Sequence, residues 1–190
     1  MFISRILLFL FVCIFAACGS SVSQTENVSQ AQPKEKTELS LRMERSHCFG
    51  TCPVYELNVQ PDGKVLFNGI DFTEIKGEVE NNLNKEKIEQ LVDEIERANF
   101  FSLQDLYTGD STNCPLEVTD SASVKLQIKL NGNEKTINHY LGCWVSDRPK
   151  ESSLGSKDNW HPKVFPQELY NLENKIDEIV GTKRWIGEGK

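Results

Sequence analysis

Cys48 and Cys52 are separated by three residues in the stretch His47-Cys48-Phe49-Gly50-Thr51-Cys52-Pro53-Val54-Tyr55. Three chemistries use such a pair. The thiols can close a disulfide, since this spacing in a turn brings α-carbons to about 6 Å, inside the range a disulfide spans. They can exchange disulfides with another protein, which requires a stabilised thiolate. They can also join His47 and His139 as soft ligands for copper or zinc. The spacing differs from the two-residue gap of thioredoxin-like motifs, and no helix follows whose dipole would lower a thiol pKa. Cys114 and Cys143 complete an even set. In an oxidising compartment thiols are bridged before they hold metal. Four cysteines allow three connectivities, of which Cys48–Cys52 with Cys114–Cys143 is preferred. The expectation is therefore a structural staple, with no cofactor and no catalytic residue assigned.

Other chemistry-bearing residues have blander readings. His139 alternates with Ile137 and Leu141, which places it on an apolar sheet face as a hydrogen-bonded core residue. Asp110, Glu117 and Asp120 lack the alternating spacing and central glycine of a calcium loop and read as turn and cap residues. The polar segment from Val145 to Phe165 carries Trp160 and His161 and is the place expected to hold a partner surface. There is no P-loop, no Gly-x-Ser-x-Gly elbow, no His-Glu-x-x-His and no dinucleotide fingerprint.

Alternating and helical patterns define the elements that position these residues. Leu39, Leu41 and Met43 alternate with polar residues, as do Tyr55, Leu57 and Val59. Pro61-Asp62-Gly63 makes a hairpin that pairs Val59 with Val65 and Leu57 with Phe67. A short strand follows at Lys76–Glu80. Asn84 caps a helix whose stripe is Ile88, Leu91, Val92, Ile95 and Ala98. Asn131-Gly132 predicts a second hairpin with Leu126 facing Ile137 and Val124 facing His139. Extending that register sets Cys143 opposite Asp120. Pro166 opens the last helix, and Leu169, Leu172, Ile176 and Ile179 form its buried stripe. The expected fold is α+β: an antiparallel sheet of about five strands packed against two helices and stapled by disulfides.

The cysteine-rich stretch resembles a bacterial family catalogued as a domain of unknown function (number 6438). That family is typified by Cys-Phe-Gly-x-Cys-Pro-x-Tyr followed by a glycine-containing hairpin. The likeness extends through Asn99-Phe100-Phe101, Thr119-Asp120, His139-Tyr140 and the final helix ending at Trp185. It covers most of residues 38–186. It implies an envelope lipoprotein or secreted module and brings no assigned activity.

The N-terminus reads as an address. Arg5 precedes an unbroken apolar run from Ile6 to Ala17, shorter than the roughly 20 residues that span a bilayer. Ala16-Ala17-Cys18-Gly19 resembles the bacterial lipobox, in which the cysteine is acylated, palmitate included, and becomes the mature N-terminus. The organisation expected is a signal peptide at residues 1–17, lipidated Cys18 with a polar, disordered tether over 18–37, and one domain over 38–190. Gly19 in place of Asp favours the outer membrane. The chain has 190 residues and a net charge of −7, which excludes a dedicated nucleic-acid binder. Its acidity gives no attraction to an anionic bilayer, so the lipid must do the anchoring. The functional expectation is a non-enzymatic cell-envelope lipoprotein that binds an envelope protein or ligand, with its domain outside the cytoplasm. The alternative is a thiol-disulfide or copper-handling protein using Cys48 and Cys52.

Overall fold

The structure, a computed structural model, describes residues 37–109, 111–145 and 163–187. Its main sheet contains β1 (Leu39–Arg45), β2 (Val54–Val59), β3 (Lys64–Asp71), β4 (Gly77–Asn82), β5 (Leu106–Tyr107), β7 (Ser123–Leu130) and β8 (Asn133–Tyr140). The seven strands lie in the order β4-β3-β2-β1-β7-β8-β5. A second sheet of three strands contains β6 (Leu116–Glu117), β9 (Cys143–Val145) and β10 (Lys163–Val164). The fold is α+β, as the patterns predict.

Both hairpins adopt the expected registers. Val59 faces Val65, Leu57 faces Phe67, Leu126 faces Ile137 and Val124 faces His139. Asn131 (φ 49°) and Gly132 (φ 86°) both take the left-handed conformation that a type I′ turn needs. Period-two alternation then delivers one apolar set to one sheet face. Leu41, Met43, Leu57, Val65, Phe67, Leu126 and Ile128 are all buried there.

Helices α1 (Lys85–Arg97) and α2 (Gln167–Val180) share the core formed on that face. Asn84 Oδ1 accepts the Lys87 N–H at 3.0 Å and caps α1. Leu91, Ile95, Leu169, Leu172 and Ile176 are fully buried, each worth about 1.5–3 kcal/mol of apolar burial. Pro166 is the residue before α2, one position earlier than its sequence places it. Gly181 (φ 78°) ends α2, and the short α3 (Lys183–Ile186) returns Trp185 onto Phe67 at 4.9 Å.

The sheet corrects the expectation in size and direction. It has seven strands and not about five, and β5 pairs parallel with β8. The second hairpin also stops at Tyr140. Cys143 pairs with Glu117 in the small sheet and not with Asp120. The break lies at Gly142, where any Cβ would fall 2.1 Å from the Val118 carbonyl oxygen. That contact lets the Val118 N–H reach the Gly142 carbonyl at 2.7 Å, and the chain re-pairs with β6.

Candidate functional site

Among the described residues no helix covers the other face of the main sheet. Tyr55, Arg45, Val124 and His139 are successive partners across β2, β1, β7 and β8. Their side chains point toward the helices, so their backbone floors a hollow on the open face. Its volume is about 290 Å³. One wall is the outward row Glu56, Glu44, Lys125 and Asn138; the other is Ser46, Ser123 and Tyr140. Arg42 bridges Glu44 at 2.9 Å and Glu56 at 3.2 Å, leaving that pair with one negative charge in excess. Lys125 has no ion pair among the described residues. Concave polar walls with an unpaired cation and the Asn138 amide suit a polar ligand.

At the Arg45 end of β1 stands the cysteine loop. Cys48 and Cys52 form a disulfide with α-carbons 5.7 Å apart, and both are half-buried. The Ser46 N–H donates to the Ser123 carbonyl at 2.9 Å, and the Ser123 N–H donates to Ser46 Oγ at 2.8 Å. The Phe49 N–H donates to the Asp120 carbonyl at 2.9 Å. His47 Nε2 lies 3.4 Å from Asp71 Oδ2 on β3. The loop is therefore held from three sides, yet the Phe49 side chain is 89% exposed. The second disulfide joins Cys114 to Cys143, with Cys143 fully buried.

On the helix side, polar groups bond one another. His139 is 1% exposed and Glu173 is 0% exposed. His139 Nδ1 lies 2.8 Å from Glu173 Oε1, and Nε2 lies 3.1 Å from the Phe165 carbonyl oxygen. A carbonyl only accepts, so Nε2 carries a proton. The contact at Nδ1 then needs one further proton, held by the ring or by the carboxyl group. Glu173 Oε2 has no hydrogen-bond partner. One turn further along α2, Asp177 accepts from Tyr55 Oη at 2.6 Å, from Arg45 at 2.8 Å and from Thr182 Oγ1 at 2.8 Å. Burial pushes the Tyr55 hydroxyl pKa well up, and the neighbouring Asp177 carboxylate adds to the rise. For Arg45 burial works against the charge, but Tyr55, Asp177 and Glu173 outweigh it and raise the pKa.

His47 and His139 are not brought together: one is on the exposed loop, and the other is buried with both ring nitrogens engaged. Among the described residues no three His, Cys, Asp or Glu side chains converge on a point that could hold a metal. Glu117 and Asp120 are exposed. Cys18, Asp110, Trp160 and His161 lie outside the described residues.

Sequence reasoning missed Arg45, Tyr55, Glu173 and Asp177. One signal was present. Glu173 lies four residues after Leu169 on the buried stripe of α2, and His139 is the one polar member of its strand's apolar face. Two lone polar residues on facing apolar surfaces are candidates to bond each other.

These features define an α+β domain with a helix-backed sheet and two disulfides. The chain belongs to the family described as Domain of unknown function (DUF6438), whose model matches residues 39–180. No curated protein matches the sequence.

Proposed function

We propose that the protein is a lipid-anchored module of the bacterial cell envelope that binds another envelope component through its open sheet face. The signal peptide over residues 1–17 directs export, acylated Cys18 holds the chain in the outer membrane, and the domain works outside the cytoplasm. The observation that carries the binding reading is the 290 Å³ hollow on a sheet face that no helix among the described residues covers. His139, which lines the hollow, has both ring nitrogens engaged on the helix side. Two disulfides fit an oxidising compartment. Intact-mass analysis of the membrane-extracted protein tests the anchor: a diacyl or triacyl mass on Cys18, lost in Cys18→Ala, is expected. An unmodified chain in the soluble fraction sinks it.

A second reading, thiol-disulfide exchange or copper handling at Cys48 and Cys52, is favoured by the half-exposed position of that disulfide. Thiol trapping of the full chain separates the two. Cysteines that stay blocked in mild reductant until denaturation support the binding module. Ready trapping of Cys48 and Cys52, or a retained copper mass, supports the second reading.

A further inference from the structure

At one end of the main sheet, β4 pairs with β3, and no strand among the described residues lies on its other side. The register fixes what that side offers. The Leu83 N–H donates to the Gly63 carbonyl at 2.9 Å, which makes these two positions a hydrogen-bonded pair. Bonded and non-bonded pairs alternate along an antiparallel ladder. Val65–Asn81 and Phe67–Val79 are therefore bonded pairs, while Leu66–Glu80 and Asn68–Glu78 lie between them. Glu78, Glu80 and Asn82 turn their backbone N–H and C=O groups away from β3, and all three residues are exposed. Protein edges are commonly blunted by shortness, proline, lysine or a bulge. β4 has six residues without proline or lysine, and it meets β3 with no shift of register.

We infer that β4 takes an extended peptide segment of a partner protein as an added strand, with a lysine or arginine of that segment set against Glu78. This edge is distinct from the hollow, whose lining includes no β4 residue. The backbone argues for a strand. The outward groups recur every second residue, roughly 6.8 Å apart, and another extended backbone matches that repeat. Charge argues for a basic one. Glu80 is engaged by Lys64 at 2.8 Å, whereas Glu78 has no ion pair among the described residues. An opposite charge directly across a ladder stabilises the pairing, and a like charge opposes it. A second copy is disfavoured on that ground. Two β4 edges paired antiparallel about Val79 set Glu78 against Glu80, and about Glu80 they set Glu80 against itself.

The test follows amide hydrogen exchange by NMR in the purified full chain, with a capped hexapeptide of alternating lysine and threonine as the probe. At millimolar peptide the Glu78 and Glu80 amides should slow by about tenfold, as near-saturation of the edge requires. The matching glutamate–threonine peptide should leave them unchanged. Glu80→Pro removes an N–H that points away from β3, so its melting temperature should hold while the protection of Glu78 disappears. Val79→Pro removes a ladder N–H and should lower the melting temperature sharply. Glu78→Gln should keep the fold and weaken the lysine peptide severalfold. No slowing, equal slowing by both peptides, or slowing that survives Glu80→Pro overturns the inference. So does a Glu80→Pro chain that melts as low as Val79→Pro. Amides already slow in the free protein mean that the chain covers its own edge, and slowing that grows with protein concentration alone means a second copy; either result also removes the peptide.

Discussion

The two faces of the main sheet differ in how deeply they bury their polar residues. On the helix side, His139, Glu173, Arg45, Tyr55, Asp177 and Thr182 bond to one another or to backbone. On the open face Lys125 and Asn138 are exposed, and beyond the strand ends Phe49 stands out in solvent. A buried polar group without a partner costs about 1–3 kcal/mol, so the inner set is constrained by folding. The outer set carries no such penalty and is free to serve a ligand. The difference teaches where to look: perturbing the inner network should damage stability, and perturbing the open face should damage recognition alone.

The largest expected effect follows from separating the buried pair. Glu173→Ala leaves His139 Nδ1 facing apolar surroundings and should destabilise by about 3–5 kcal/mol in urea unfolding. Replacing both, as His139→Leu with Glu173→Met, should recover much of that loss, because no uncompensated polar partner remains at Nδ1. The recovery is incomplete, since the Phe165 carbonyl loses its donor. A loss under 1 kcal/mol for Glu173→Ala breaks the comparison, because the inner face would then not be dedicated to folding.

The disulfides sharpen it next. Cys114–Cys143 spans 29 positions and Cys48–Cys52 spans 4. In the chain-entropy model the longer loop contributes about 3–4 kcal/mol and the shorter about 2 kcal/mol. Alanine pairs at each bridge should rank in that order by urea midpoint at constant slope. A larger loss from the Cys48–Cys52 pair would make the cysteine loop a folding element.

Legibility in the sequence follows element length and the range of the contacts. Both long hairpins were readable because eight-residue strands such as β7 and β8 carry several periods of alternation. The two-residue β5, β6 and β10 carry no period at all, so the extra strands and the parallel pairing were invisible. The disulfide partners were accessible through spacing and hairpin register, although Cys143 reaches Cys114 by a route that Gly142 redirects. At the site, His139 was legible as a lone polar residue on an apolar stripe. Its partner was not, because Glu173 lies 34 residues away on a helix whose packing fixes the pairing. Phe49 was visible as part of a motif, while its place on the loop depends on one backbone bond to Asp120 and on the closed bridge.

Tyr55→Phe removes one donor from Asp177, which keeps Arg45 and Thr182, so a loss of about 1.5 kcal/mol is expected. Its pH dependence is more specific. The folded state raises the Tyr55 pKa, so its contribution is full below the ordinary tyrosine value of about 10. Above that value unfolded chains lose the Tyr55 proton and folded ones keep it, and stability falls by up to about 1.4 kcal/mol per pH unit. Unfolding midpoints from pH 9 to 11 should therefore converge for wild type and Tyr55→Phe. Parallel curves would place the hydroxyl in water and open the inner network.

The smallest expected effect falls on the cysteine loop. Phe49→Ser removes a side chain that is 89% exposed and should change stability by less than about 0.5 kcal/mol. The loop's backbone bond to Asp120 and its disulfide do not involve the ring. An aromatic of this size left in water gains nothing for folding. A melting temperature unchanged within error is the expected result. A clear loss would mean that the ring packs on the domain in solution, and the cysteine loop would belong with the helix-covered face as part of the fold's own core.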